Sequence, residues 1–223
     1  VGTVSWPDTK LIASHVMSDE VALTVAGKLA ELGLDFMAQG PAPDSHRFVY
    51  WRSGVLDNPD FEHRLELYDS FATPMVKAKV HATSHFVIVH PADEPDREFT
   101  RIRDMLLGLD VPLHIVRTTS PLDKKSLWIE VFPRGVSKAN GCAAIAKTHG
   151  ISVADTLAVG NDYNDCDMLD WAGTSYVVSN APAPLKQQYS VTASNGDAGV
   201  SVCIAKWLGG REPSTLKPTS SGD

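Results

Sequence analysis

The sequence has little that would suit a secreted, membrane-spanning or nucleic-acid-binding protein. Cysteine is scarce: Cys142, Cys166 and Cys203 are far apart, form no CxxC pair, and as an odd set cannot all pair with one another. That argues against a disulfide framework and leads us to expect a reduced, cytoplasmic setting. No apolar run approaches the roughly 18–20 residues needed to cross a bilayer. Basic residues are in the minority, 20 Lys and Arg against 27 Asp and Glu, giving a formal charge of −7. A nucleic-acid or anionic-membrane surface wants a basic patch, so neither partner is expected. The opening residues do not read as a secretory leader. Val1 stands where a Met would begin a chain, so a processed or trimmed start is expected.

What is present is ordinary globular composition, 43% hydrophobic and 21% charged over 223 residues, enough for one large domain or two small ones. Strand-like and helix-like segments alternate throughout, which predicts an α/β fold. Lys10 to Val16 reads as a strand. Ser18 then caps a helix with Asp19 and Glu20 in its first turn, where negative charge suits the dipole. Val21, Val25, Leu29 and Leu32 recur at helical spacing, and Gly33 closes the helix. Strands are expected at Asp35 to Met37, Arg47 to Trp51, Ser84 to His90, Leu113 to Arg117 and Leu127 to Phe132. Helices are expected from about Phe61 to Phe71 and from about Pro95 to Gly108. Beyond Pro133 the pattern becomes a βα series: helix Lys138 to His149, strand Thr156 to Val159, a helix through Met168 and Leu169, strand Ser175 to Val178, and helices near Pro184 to Tyr189 and Gly199 to Leu208. Residues 209–223 are Gly, Pro and Ser rich without periodicity and are expected to be disordered. The natural boundary falls near Arg134, giving a strand-rich module over 1–133 and a βα module over 134–208.

Two sites in the second module carry chemistry. Gly135-Val136-Ser137-Lys138 is a turn that leads into a helix, and it points a compact cation into whatever the turn faces. Gly160-Asn161-Asp162-Tyr163-Asn164-Asp165 follows a buried strand directly, and ligands of open α/β sheets sit beyond the carboxyl ends of the strands. Asn161, Asp162, Asn164 and Asp165 crowd oxygen donors into five positions, the donor type that a hard cation such as Mg²⁺ prefers. Taken alone, a lysine at a helix start is usually a solvated surface residue, and an Asn/Asp-rich loop is usually a turn bonding its own backbone. In the first module, His46, Arg47 and Arg52 flank the strand Phe48 to Trp51; a polar loop capping a strand is their plain reading. His81, His85 and His90 surround one strand at spacings that do not gather them into a ligand cluster.

The runs GVSKANGCAAIAKTHGI, DTLAVGNDYNDCDMLDWAG, VVSNAPAPLK and SNGDAGV together resemble the C-terminal half of Cof-like phosphatases of the haloacid dehalogenase (HAD) superfamily. The resemblance implies a HAD-like Rossmannoid core, represented by its C-terminal half at 134–208, with a large α/β cap at 1–133. It implies a Mg²⁺-dependent phosphomonoester hydrolase acting on a small phosphorylated metabolite such as a sugar phosphate. By the same resemblance, Lys138 steadies the phosphoryl group and the nucleophilic aspartate. Asn164 contacts phosphate, and Asn161, Asp162 and Asp165 serve the metal. His46 and Arg47 are placed in the cap, which supplies substrate selectivity. The family's loop usually begins Gly-Asp, and Asn161 stands at the equivalent position, where an amide oxygen can ligate Mg²⁺ but brings no charge. The family's N-terminal Asp-x-Asp motif, with its nucleophile and its acid/base partner, has no counterpart near the start, where only Asp8 and Asp19 occur. The expected partner is therefore an N-terminal segment of the same precursor or a companion chain. The alternatives are a catalytically inactive remnant that binds phosphometabolites or a protein, and a sugar phosphomutase relative.

Overall fold

The computed structural model of the chain describes residues 2–4, 11–76, 79–120, 122–123 and 125–209. These fall into two compact units, Val1–Asn140 and Gly141–Asp223. The expected disordered tail lies outside the described residues except for Gly209, and the start of the first expected strand, at Lys10, lies outside them as well.

The first unit opens with a two-stranded antiparallel ribbon, β1 (Gly2–Val4) and β2 (Leu11–Ser14). Helix α1 (Asp19–Glu31) starts where the sequence says it should, because Ser18 Oγ accepts a hydrogen bond from Val21 N–H (3.3 Å). Its buried stripe is Ala22, Val25, Ala26 and Leu29, and Gly33 ends the turn with a positive φ of 67°. A mixed sheet follows, built from β3 (Asp35–Gln39), β4 (Phe48–Trp51), β5 (Ala72–Pro74), β6 (His85–His90), β7 (Leu113–Thr119) and β8 (Leu127–Pro133). Its order is β5-β4-β3-β6-β8-β7, with Phe36 opposite Ile88 and Phe86 opposite Val131. Helices α2 (Pro59–Leu67) and α3 (Pro95–Leu107) complete the unit.

Alternation along the strands divides the core in two. Phe36, Ala38, Phe86, Ile88, Ile129 and Val131 pack with Leu29 of α1 and with Ile102 and Leu106 of α3. The alternate residues Met37, Val87, Val89 and Trp128 pack with Phe61 and Leu65 of α2 on the opposite face. The sheet is thus covered by helices on both sides, which accounts for the full burial of all five β3 residues. Helix α2 departs from expectation: it ends at Leu67, and a 3-10 turn over Asp69–Phe71 leads into β5. That strand is three residues long, pairs among the described residues only with β4 and ends on Pro74, which an edge position tolerates.

Buried polar groups tie α2 to the sheet. Asn58 Nδ2 donates to Asp35 Oδ2 (2.8 Å) and to the Val89 carbonyl (2.9 Å), while Asn58 Oδ1 accepts from Phe61 N–H (3.3 Å). Asp35 also accepts from the Ser53 amide and hydroxyl (2.7 and 2.8 Å). Asp60 accepts from Trp128 Nε1 (2.5 Å) and Ser120 Oγ (3.0 Å). Each buried carboxylate therefore meets several donors, as burial of a charge requires.

Helix α4 (Lys138–Thr148) leads into the second unit. There β9 (Leu157–Gly160), α5 (Cys166–Trp171), β10 (Thr174–Val178), α6 (Ala183–Gln188), β11 (Ser190–Thr192) and α7 (Gly199–Gly209) follow in turn. The three strands are parallel in the order β11-β10-β9, over a core of Ala158, Leu169, Val177, Val178, Ala181 and Leu185. Among the described residues β9 pairs only with β10. Ile145, Val200, Val202, Ile204 and Leu208 are exposed. Among the described residues no helix is long and apolar enough to cross a membrane.

Asn58→Ala should destabilise the first unit by about 2–4 kcal/mol, since it removes a helix cap and leaves Asp35 short of a buried donor. Leu23→Ala, at a position 54% exposed, should shift stability by less than about 0.5 kcal/mol. Urea unfolding of both variants checks the contrast; equal effects would mean the polar node is not a structural tie.

Candidate active site

Because β9, β10 and β11 run parallel, the loops that follow them emerge at one edge of the sheet. This is the edge where ligands of such sheets bind. The loop after β9 is wound by its own carboxylates. Asp165 Oδ2 accepts from the backbone N–H of Asn161 (2.8 Å) and of Asp162 (3.4 Å), and Asp162 Oδ1 accepts from Tyr163 N–H (2.8 Å). Asp162 and Asp165 form a reciprocal capping box around a 3-10 turn, Tyr163–Asp165, that feeds α5. Both are buried, at 8% and 5% exposure. Gly160 is required by closeness: a Cβ there would lie 2.7 Å from Asp165 Cβ and 3.0 Å from Leu169 Cδ1. The outcome differs among the four donors. Asp162 and Asp165 shape the loop, Asn161 is exposed, and Asn164 is half-buried.

The neighbouring loops are pinned to each other. Asn180 Oδ1, after β10, accepts from Asn195 N–H (3.1 Å), after β11. Thr192 Oγ1 donates to the Gly199 carbonyl (2.9 Å), and a Cβ on Gly199 would fall 2.1 Å from the Ala193 carbonyl oxygen. These contacts give the SNGDAGV segment its shape.

Lys138 belongs to the first unit and the 160–165 loop to the second. Its turn is built as the sequence suggests: Gly135 takes a φ of 85°, Ser137 Oγ accepts from Asn140 N–H (3.1 Å), and Asn140 Nδ2 donates to the Gly135 carbonyl (2.9 Å). Lys138 is exposed and acts electrostatically on Glu130 of β8. Burial raises the Glu130 carboxyl above its usual range, with Lys138 and Arg64 opposing that shift. The Arg64 guanidinium lies over the rings of Trp128 (4.9 Å) and Tyr68 (5.1 Å), and its Nε donates to Met37 Sδ (3.2 Å). On the same sheet His85 stacks on Phe132 at 4.9 Å, and burial lowers its pKa from 6.5 to about 4, with Arg64 adding to the shift.

His46 and Arg47 fall in the loop between β3 and β4, beside a cleft of about 320 Å³ lined by Arg47, Asp44, Phe71, Thr73, Lys79 and His81, among others. The His46 ring meets Phe71 edge-on at 4.6 Å, and the Arg47 guanidinium lies 5.7 Å from the same ring. Arg52 is committed elsewhere, in a bidentate pair with Glu62 (2.6 and 2.7 Å). Sequence reasoning missed Lys79 and grouped His81 with the strand histidines. Ala82, at a φ of 43°, turns the chain before β6, so His81 lines the cleft and His85 packs in the sheet. Among the described residues no group of three or more His, Cys, Asp or Glu side chains is placed to hold a metal ion.

The haloacid dehalogenase-like hydrolase family model matches residues 58–204, and the chain belongs to that family. Its fold is similar to that of a HAD subclass IIB sugar phosphatase, with a TM-score of 0.66 at 16% identity, over 90% of this chain and 71% of that one. Among curated proteins it is 34% identical over 81 residues to the stress response protein YhaX of Bacillus subtilis, 36% of this chain and 28% of that one. It is 25% identical over 139 residues to the phosphoglycolate phosphatase of Methanothermobacter thermautotrophicus, 57% of this chain and 61% of that one. The chain thus spans between 28% and 61% of the length of these relatives.

Gly160→Ala should destabilise the second unit by about 1–3 kcal/mol, because Asp165 and Leu169 must give way. Hydrogen exchange at the Asn161 and Asp162 amides should speed up; unchanged protection would mean the loop is not closed this way. A second prediction concerns acid. The unfolded chain takes up a proton at His85 below pH 6.5, whereas the folded chain resists it until about pH 4, so His85 weakens folding as pH falls across that window. Glu130 acts in the opposite sense, since its raised carboxyl loses stability as pH climbs above its ordinary 4.5. His85→Gln should therefore flatten the acid-side decline relative to the wild type; parallel stability–pH curves would refute the assignment.

Proposed function

We propose that this chain forms part of a Mg²⁺-dependent phosphatase for a small phosphorylated metabolite such as a sugar phosphate. The observation that carries the reading is the 160–165 loop at the carboxyl edge of a parallel sheet, in a chain of the haloacid dehalogenase-like hydrolase family. The relative named as a phosphoglycolate phosphatase and the sugar-phosphatase fold support it. The nucleophile comes from an Asp-x-Asp segment, carried by the same precursor or by a companion chain. Among the described residues the outer edge of β9 has no strand partner, and Ile145 of α4 and Val200, Val202, Ile204 and Leu208 of α7 are exposed; both suit such a partner, because unpaired strand edges and exposed apolar residues favour being covered.

The loop's donor set fits a hard divalent cation: one exposed amide oxygen at Asn161 and two carboxylates, at Asp162 and Asp165, whose positions backbone N–H groups already fix. Asn161, Asp162 and Asp165 would hold Mg²⁺, which would supply positive charge against a transferring phosphoryl group. Asn164 orients the phosphate by hydrogen bonding. Lys138 places a positive charge against the phosphoryl oxygens and the attacking carboxylate. That carboxylate forms a bond to phosphorus as the ester P–O bond breaks, and the second Asp of the segment protonates the departing oxygen. Water then hydrolyses the aspartyl-phosphate and releases inorganic phosphate. Residues 1–133 would act as the cap that supplies substrate selectivity, with His46 and Arg47 as its candidate substrate contacts.

In protein carrying the Asp-x-Asp segment, Lys138→Ala should lower kcat by about 10²-fold or more. Asn161→Asp should lower the Mg²⁺ concentration needed for half-maximal turnover, since it adds a charged ligand. Assays on a panel of phosphate monoesters with Mg²⁺ titration test both. Turnover indifferent to Mg²⁺ and to Lys138 would sink the reading, and no turnover of any ester would favour a silent binding remnant.

A further inference from the structure

We propose that the cleft of the first unit, between the β3–β4 loop and the segment before β6, is a binding site for an oxyanion group, the carboxylate or phosphate of a small metabolite. Its lining carries two permanent cations, Arg47 and Lys79, against one anion, Asp44, in a chain whose formal charge is −7. An excess of positive charge in a concave site on an acidic protein concentrates anions there. At about 320 Å³ the cleft has the size of a small-molecule site.

The cations are held in place by the fold. Gly40 N–H donates to the Arg47 carbonyl (2.8 Å) and Arg47 N–H to the Asp44 carbonyl (2.9 Å), which closes the loop. A Cβ on Gly40 would lie 3.1 Å from the Arg47 carbonyl oxygen and 3.2 Å from that of Asp44, so the tight closure needs glycine. The Arg47 guanidinium rests 5.7 Å from the Phe71 ring centre, a planar support that leaves its N–H groups available for a planar or tetrahedral oxyanion. Its contact with Asp44 is only 4.0 Å at the closest, between side chains both 63% exposed, and such a pair is weak enough to yield to a ligand. Across the cleft, Val80 is buried in the core while Lys79 and His81 on either side of it are exposed and line the cleft. The segment is anchored by Ala82 N–H to Asp19 Oδ1 (3.0 Å) and by Met17 N–H to the Thr83 carbonyl (2.8 Å). His81 adds a ring donor, and Thr73 adds a hydroxyl. The consequence for ligand choice rests on the phosphatase reading: among small phosphorylated metabolites, those that also carry a carboxylate or a second phosphate suit this cleft.

Backbone amide chemical-shift titration of the full protein with sodium phosphate, and separately with sodium malonate, at constant ionic strength and without Mg²⁺, tests the site. Saturable shifts are expected at the amides of Gly40, Asp44, Phe71 and Thr73, with Kd on the order of 1 mM. The Arg47→Ala/Lys79→Ala double variant should bind at least about 10-fold more weakly, two charged contacts being lost. Asp44→Asn should bind more tightly, because a competing carboxylate disappears while the backbone loop bond remains; a gain cannot come from misfolding. Tighter phosphate than malonate identifies a phosphate-bearing ligand, and the reverse identifies a carboxylate. Shifts that never saturate, or equal affinity in wild type and the double variant, overturn the proposal. The titration needs no turnover, so its failure leaves the phosphatase reading standing, and an absence of phosphatase activity leaves the binding result standing.

Discussion

The chemistry this chain can offer depends on where the Asp165 carboxylate spends its hydrogen bonds. It lies at 5% exposure and accepts from two backbone N–H groups of the loop that precedes it. A carboxylate taken from water needs such donors, and the cheapest ones come from a chain that turns back on itself. The turn is possible because Gly160 has no Cβ to meet Asp165. Once it is made, the capping box ties the 3-10 turn to the strand end and the start of α5, and Asn161 is left exposed beside it. A residue that looks like a ligand therefore serves first as the scaffold for its neighbours.

The first unit meets the same requirement differently. Its buried carboxylates, Asp35 and Asp60, are served by side chains from distant parts of the chain: Asn58, Ser53, Ser120 and Trp128. Long-range donors of this kind fix α2 on the sheet and set the phase of β6 and β8. The two units thus show two solutions to one constraint, a local one where a loop must be sharp and a non-local one where layers must be aligned.

Much of this was legible from residues alone. Ser18 with Asp19 and Glu20 announced α1, Gly33 its end, and the Lys138, Thr156 and Ser175 segments their helix and strands. Strand β5 was not legible, because three residues ending in Pro74 carry too little alternation to separate them from a helix tail. Strand β11 is equally short. The grouping of Lys79 and His81 with Arg47 was hidden too: the two segments are far apart in sequence, and only the buried Val80 between the two basic residues sets their direction. The roles of Asp162 and Asp165 could not be told from that of Asn161, since loop-shaping and metal-binding call on the same residue types. The family was legible because its signals lie in short, local strings, which pattern reading handles best.

The paths into and out of the sheet-bearing part of the first unit lie side by side. Met17 N–H bonds the Thr83 carbonyl just before β6, and β8 ends at Pro133 two residues past Val131, which faces Phe86 near the start of β6. The long excursion between Met17 and Pro133 therefore departs and returns beside the same few residues. A segment tied at neighbouring points can lengthen, shorten or be exchanged wholesale without changing the span it leaves behind. Selection can then rework the 40–47 loop and its cleft while the βα module keeps its register, and the two parts are free to change on separate clocks.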